Sequence, residues 1–245
     1  MALVEQIASY VRDAADQYTY NVLEIGPGRG VLTQYLSKIP KINLKVVEVD
    51  PDMVEVLTQE NIVQPEQIVQ ADILQTDIRE LFGGDQYLLV GNFPYNISSQ
   101  IVIKMLVNKT YIPAMIGMFQ KEMADRVLSK HDRKSYSRLS VLTQAQYSGR
   151  KLVKISPGSF NPPPKVDSMV IRLDRKDEVE DIYNEKMFRT VVALIFSKRR
   201  KMLRNTLKSL ITDETLLENP YFTMRPEQLL IEDFGKITAL ILNQK

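Results

Sequence analysis

The chain has 245 residues, 44% hydrophobic and 25% charged, enough for one large domain or for one domain with a small appendage. It contains no cysteine and a single histidine, His131, which excludes disulfides, thiolate metal sites and cysteine nucleophiles and disfavours a histidine triad or a zinc cluster. Nothing reads as a signal peptide or a membrane span, so a cytoplasmic protein is expected, and a net charge of +2 does not by itself argue for a nucleic-acid partner.

Leu3, Val4, Ile7, Ala8 and Val11 fall at helical spacing, so an amphipathic helix opens the sequence. NVLEIG then reads as a buried strand ending at glycine, with VLTQYLSK as the helix after it. KVVEVD is a second short strand, followed by helical MVEVLTQE. IVQAD and YLLVGN are two more strand-like runs, with Asp72 and Asn92 at their C-terminal ends. IPAMIGMFQ supplies a further apolar strand ahead of helical KEMADRVL. After helical LSVLTQAQY and strand-like KLVKIS, the proline cluster NPPPKVDS leads into the strand SMVIRL. Strands alternating with helices imply βαβ units, a parallel sheet and an α/β fold. Past Asp174 the pattern changes: RKDEVEDIYNEK is charged and linker-like, and the remainder reads as helices. A boundary near Leu173–Asp181 divides a domain over 1–175 from a small helical one over 176–245.

In open α/β sheets ligands bind at the carboxyl ends of the strands. The first suggestive end is EIGPGRG, with Glu24, Gly26, Gly28 and Gly30, where glycine lets the backbone turn tightly and approach a ligand. Its GxGxG spacing differs from the GxGxxG of dinucleotide sites, and such turns are common enough to be a weak signal alone. The second is Glu48, about twenty residues on, where a carboxylate can accept hydrogen bonds from both ribose hydroxyls. By itself a surface acid after a strand is the commoner reading. The third is Asp72, where a carboxylate can receive an adenine amino group, and the fourth is the quartet Asn92, Phe93, Pro94 and Tyr95. Together these four describe the S-adenosylmethionine pocket of a class I (Rossmann-like) methyltransferase.

The quartet has a chemical rationale. The amino nitrogen of adenine is a poor nucleophile, because its lone pair is delocalised into the ring. Accepting both amino hydrogens, one on the Asn92 side-chain oxygen and one on a carbonyl of the Phe93–Pro94 turn, aims that lone pair at the methyl group. Pro94 holds the turn by fixing φ, and Tyr95 offers a flat face for an extruded base. The competing reading of NFPY is an ordinary strand-end turn with aromatics for core. Phe160, in SFNPPPKVDS, reads alone as loop packing, and beside this motif as a second wall across the base from Tyr95. A sulfonium methyl is already activated, so no metal is expected.

Two basic runs stand out in the near-neutral chain. FSKRRKMLRNTLKSL carries Lys198, Arg199, Arg200, Lys201, Arg204 and Lys208 without an acid, on an expected helix docked by Phe196, Met202, Leu203, Leu207 and Leu210. SKHDRKSYSR, with Lys130, Arg133, Lys134 and Arg138, looks like a loop. Each alone is most simply a solvated face; both together favour a polyanion.

At this level the sequence resembles the KsgA-type ribosomal RNA adenine dimethyltransferases. LEIGPGRGVLT, VVEVD, QAD, GNFPYNISSQI, MFQKEMADRV, SYSRLSVLTQAQY, FNPPPKVDSMVIRL and FSKRRKMLRNTLKSL match the signatures of that family in order, over nearly the whole chain. PPPKVDS and the FxxRRKxLRNxLK segment favour this branch over the erythromycin-resistance enzymes that act on large-subunit RNA. The resemblance implies dimethylation of two adjacent adenosines in the 3′-terminal hairpin of small-subunit ribosomal RNA, with S-adenosylmethionine as cofactor, on the immature small subunit, by a monomer. It further implies that Gly26, Glu48, Asp72 and Asn92 contact the cofactor, while Asn92, Pro94, Tyr95 and Phe160 hold the base. One departure is that the family's Gly-Gln-(His/Asn)-Phe-Leu segment precedes the first helix, whereas the present sequence opens inside that helix at MALVEQIASY; impaired activity is the expectation this sets. A second is Ser137, where glycine is usual, with little effect expected. Three other readings stay open: a non-catalytic RNA-binding or ribosome-assembly factor of the same fold, a dinucleotide oxidoreductase, and a DNA adenine methyltransferase.

Overall fold

Ile7, Ala8, Val11, Ala14 and Ala15 form the buried stripe of the opening helix, α1 (Ala2–Gln17), as the spacing of the apolar residues requires. The computed structural model describes residues 2–160, 162–177 and 184–244; within the expected linker, 178–183 lie outside them. The chain divides into two units, Met1–Ala124 with Ser148–Arg175, and Asp125–Tyr147 with Lys176–Lys245. The segment 125–147 therefore groups with the C-terminal part, where the sequence reading has all of 1–175 in one domain. Local pattern identified its elements but carries no information on which core they join.

The first unit is a seven-stranded sheet with order β3-β2-β1-β4-β5-β7-β6. Its strands are β1 (Asn21–Ile25), β2 (Asn43–Glu48), β3 (Ile68–Gln70), β4 (Leu88–Asn92), β5 (Ala114–Gln120), β6 (Tyr147–Ile155) and β7 (Ser168–Arg175). The first five pair in parallel, with Ile25 opposite Val47, Glu48 opposite Gln70 and Glu24 opposite Val90. β7 corrects the expectation of an all-parallel sheet, since it runs antiparallel to β5, from Ala114 opposite Asp174 to Gln120 opposite Ser168. The helix–strand alternation lapses after β6: the described residues of the proline-rich connection to β7 hold a short 3₁₀ turn and not the crossover helix that parallel neighbours normally use.

Helices α2 (Thr33–Leu36), α3 (Pro51–Gln59) and α4 (Ser98–Val107) connect the parallel strands. α2 is a single turn, shorter than VLTQYLSK suggested. α3 starts where Pro51 follows Asp50, whose side chain caps the Asp52 amide at 2.9 Å. α4 has no counterpart in the sequence reading, yet Ile101, Val102, Met105 and Leu106 are its buried face.

α5 (Lys121–Val127) leads to α6 (Arg138–Gln144), and the C-terminal segment adds α7 (Glu185–Ser197), α8 (Leu203–Thr206) and α9 (Ile231–Leu242). Asn184 caps α7 through the Met187 amide. In this second core Phe196 stacks on Phe234 and meets the edge of Tyr136, whose buried hydroxyl donates to the Leu229 carbonyl. The expected basic helix is not continuous. α7 stops at Ser197, Lys198 leaves helical geometry at φ −135 and ψ 68, and Lys198–Met202 form a turn before α8. The turn lets Leu203 and Leu207 reach full burial, while Met202, assigned to the same stripe, stays exposed.

The end of β4 is shaped by two glycines. A Cβ on Gly117 would lie 2.3 Å from the Phe93 ring and 2.7 Å from the Phe119 ring, and one on Gly91 would lie 2.6 Å from the Ile25 carbonyl oxygen and 2.9 Å from Phe93. Gly91 and Gly117 are opposite each other in the β4–β5 register, so the Phe93 ring fills the space both leave. Gly117→Val is expected to destabilise the protein by about 1–3 kcal/mol through overpacking, measured by urea unfolding. Met115→Leu, a volume-conserving change in the same strand, should cost less.

Candidate active site

The strand order sets four carboxyl ends side by side: Asp72 after β3, Glu48 closing β2, Gly26 after β1 and Asn92 closing β4. With strands about 4.8 Å apart, these ends span about 14 Å, the scale of an extended nucleoside with an amino-acid tail. β1 lies where the strand order reverses, the usual place for a ligand crevice.

The glycine turn leaves β1 with three residues in left-handed geometry, Gly26, Gly28 and Gly30, at φ 64, 55 and 72. Their surroundings differ. A Cβ on Gly28 would meet nothing within 4 Å, and one on Gly26 would sit 3.8 Å from Pro94 Cδ. This brings the turn beside NFPY. Gly30, grouped with the other two as ligand-facing in the sequence reading, is buried, and besides its positive φ a Cβ there would meet the side chains of Ile62 at 2.7 Å and Leu57 at 2.9 Å, so packing adds to the reason for glycine.

Glu48 is buried and holds the mouth of the site together. Its Oε2 accepts from the Gly28 amide at 3.0 Å, and its Oε1 accepts from the amides of Val49 at 2.8 Å and Asp50 at 3.0 Å. A carboxylate offers about four lone-pair directions, so one remains unshared for a ligand hydroxyl. A second hydroxyl would have to share or displace the Gly28 amide, a constraint that the two-hydroxyl expectation did not contain. Asp72 is half-buried; its Oδ1 accepts from the Leu74 amide and its Oδ2 from the Gln75 side chain, at 2.9 and 3.2 Å. Lys104, from α4, donates to the carbonyls of Leu74 and Thr76 and so clamps the same loop.

Glu24 is 1% exposed, and its Oε2 has no hydrogen-bond partner. Burial pushes its carboxyl up to about 7; the Thr33 side chain opposes the shift and the negative Glu48 adds to it. The Thr33 hydroxyl itself is outside good hydrogen-bond geometry with any partner. A fully buried acid with a free oxygen is suited to a cationic group, whose arrival would ionise it.

The NFPY turn alternates strictly: Gly91 and Phe93 are buried, Asn92 and Pro94 exposed. Among the described residues the Asn92 side-chain amide has no hydrogen-bond partner. Phe93 donates its amide to the Met118 carbonyl at 3.2 Å, and Ile97 donates to the Pro94 carbonyl at 3.2 Å. Among the described residues the Phe93 carbonyl accepts nothing, so it and the Asn92 side chain are two acceptors that the turn leaves open. Tyr95 is half-buried; its hydroxyl is 2.9 Å from Ser168 Oγ, a contact across 73 positions that the sequence reading did not single out. Phe160 is half-buried against the main hydrophobic cluster and makes no ring contact with Tyr95. Its neighbour Asn161 lies outside the described residues.

In the second unit Lys130, Arg133, Lys134, Arg138, Lys198, Arg200, Lys201 and Arg204 are all exposed. Arg199 differs. It is half-buried, and its guanidinium donates to the carbonyls of Lys134 at 2.6 Å and Arg133 at 2.9 Å. Arg199 thus ties the two basic runs into one surface, whereas the sequence reading groups it with the RNA-binding cations. Among the described residues no group of His, Cys, Asp and Glu could hold a metal ion, and no helix is long and apolar enough to cross a membrane.

Residues 5–231 match the family described as Ribosomal RNA adenine dimethylase. The chain belongs to this family. It is 45% identical over 235 residues to a "Ribosomal RNA small subunit methyltransferase A" of Bacteroides thetaiotaomicron, covering 95% of this chain and 88% of that protein. A protein of the same name from Flavobacterium johnsoniae is 44% identical over 238 residues, covering 97% and 91%. The crystal structure of a dimethyladenosine transferase from Plasmodium falciparum superposes with a TM-score of 0.78 at 24% identity, covering 99% of this chain and 95% of that one. The fold of this dimethylase is accordingly that of a class I methyltransferase carrying a small helical part.

Glu24 generates a pH prediction for this family member. Its folded value lies above the ordinary value near 4.5, so the native state holds the proton more tightly than the unfolded chain. That stabilisation is complete below about pH 4.5 and is lost as the pH rises through about 7. Glu24→Gln should therefore shrink the drop in unfolding free energy between pH 5 and pH 8 by about 2–3 kcal/mol, read from urea titrations of both proteins.

Proposed function

We propose that this chain transfers methyl groups from S-adenosylmethionine to the amino nitrogens of two adjacent adenosines in the 3′-terminal hairpin of small-subunit ribosomal RNA. Each becomes N6,N6-dimethyladenosine, on the immature small subunit, in the cytoplasm, with the protein acting as a monomer. The observation that carries the reading is the pair of open acceptors at one turn, the Asn92 amide oxygen and the Phe93 carbonyl, beside the glycine turn at Gly26. Small-subunit methyltransferase relatives at 42–45% identity support the same substrate class.

S-adenosylmethionine, when bound, supplies a methyl group already activated by a sulfonium. Three features fit that molecule: open space at Gly28, an unshared lone pair on the buried Glu48 carboxylate, and the unpartnered Glu24 oxygen for a cationic group. Asp72 retains one unshared lone pair on each oxygen for an adenine amino group.

The chain's own residues then act on the target adenine. Asn92 Oδ1 and the Phe93 carbonyl accept the two amino hydrogens, which turns the nitrogen lone pair out of conjugation with the ring. The backbone that carries both acceptors is held in place: the Phe93 ring is packed between Gly91 and Gly117, and Pro94 fixes its φ. Each transfer forms an N–C bond as the S–C bond breaks and leaves the nitrogen cationic, and it then releases one proton to solvent; a single amino hydrogen remains after the first, so one acceptor suffices for the second. Tyr95 and Phe160 provide faces for the extruded base, each contributing about 1–3 kcal/mol of stacking. Exposed cations of the second unit bind phosphate without reading sequence.

Mass spectrometry of immature small-subunit RNA incubated with the protein and S-adenosylmethionine should find two dimethyladenosines. With Asn92→Ala transfer should fall by a hundredfold or more while the unfolding midpoint stays put; near-normal turnover would reject the alignment mechanism. Arg200→Gln with Lys201→Gln should weaken RNA binding and reduce the slope of log affinity against log salt by about one per lost phosphate contact. Cofactor affinity should not change. An unaltered slope would mean that the basic turn is only a solvated surface.

A further inference from the structure

The base platform depends on a residue outside the NFPY motif. We infer that Ser168 is a positioning residue for base capture, fixing the plane of the Tyr95 ring through its hydroxyl. This rests on the proposed role of Tyr95. The backbone alone does not determine that plane: Ser98 Oγ donates to the Tyr95 carbonyl at 3.1 Å, but the terminal torsion of a tyrosine is broad. A polar restraint on the ring lies at its far end, where the hydroxyl is 2.9 Å from Ser168 Oγ.

Ser168 is a rigid anchor. It is 0% exposed and is the first residue of β7, opposite Gln120 in the antiparallel ladder with β5, so its Cβ direction is set by the sheet. The residue before it is tied twice. Lys121 donates its amide to the Asp167 carbonyl at 2.9 Å, and Lys154 Nζ lies 2.8 Å from Asp167 Oδ2. Each hydroxyl has the other as its side-chain partner, and either can donate. The result is a strut from an antiparallel strand to the ring on which a flipped base would lie. It also assigns work to the end of PPPKVDS, a motif of which the proposed chemistry otherwise uses only the neighbouring Phe160.

The experiment is a double-mutant cycle of Ser168→Ala and Tyr95→Phe, with Tyr95→Ala beside it. Two readouts are taken: single-turnover methyl transfer to ribosomal RNA at saturating cofactor, and cofactor-free quenching of 2-aminopurine at the target position of an RNA hairpin. Ser168→Ala and Tyr95→Phe should each slow transfer by about three- to tenfold, the effect of one lost hydrogen bond, and reduce the quench. The double variant should be no slower than either single one. Cofactor affinity and the unfolding midpoint of Ser168→Ala should stay close to wild type. The inference is overturned if Ser168→Ala transfers and quenches normally, or if its effect is undiminished in the Tyr95→Phe background. A Tyr95→Ala variant that loses transfer while Ser168→Ala does not would remove Ser168 alone. A Tyr95→Ala variant with normal transfer would remove the platform itself.

Discussion

The burial of one ring governs the reacting end of the sheet. Phe93 inserts between the facing glycines Gly91 and Gly117 and packs edge-on to Phe119 at 5.1 Å between ring centroids. Side chains alternate along an extended chain, so sinking Phe93 necessarily turns Asn92 and Pro94 outward. The same insertion holds the Phe93 amide on Met118 and leaves its carbonyl unbonded. Chemistry and packing are therefore coupled through a single side chain.

A second coupling lies two strands away. Glu48 is oriented by three backbone amides and in turn holds the glycine turn in place through Gly28. Glu24, with burial and an unpartnered oxygen, is pushed toward neutrality. Two acids on adjacent strands thus differ in how their oxygens are occupied, Glu48 by three amides and Glu24 with one oxygen left unpartnered. One is suited to hydroxyls, the other to a cation.

The second unit follows a different logic, in which an exposed basic surface is assembled by an internal contact. Arg199 gives up its own availability to bind the carbonyls of Arg133 and Lys134, and so gathers exposed cations from two separate runs. Gathering like charges costs repulsion that exposed side chains relieve in water and that a polyanion would relieve more. Tyr136, Phe196 and Phe234 supply the packed core beneath.

Much of the site was legible in the sequence because its signals are local. Apolar runs of strand length followed by glycine, acid or asparagine identify strand ends whatever surrounds them, and positive φ at Gly26 and Gly28 is the conformation their residue type anticipates. The βαβ alternation likewise determined that those ends share one edge. What only the tertiary structure decided is which distant groups meet. The antiparallel course of β7, the grouping of Asp125–Tyr147 with the C-terminal segment, the packing role of Gly30, the Ser168 hydroxyl against Tyr95 and the capture of Arg199 all join residues far apart in the chain. Periodicity records which face of an element is apolar, but not which neighbour covers it. Those pairings are set by strand order, loop length and the volume left by particular glycines, and none of these leaves a mark within a single stretch of sequence.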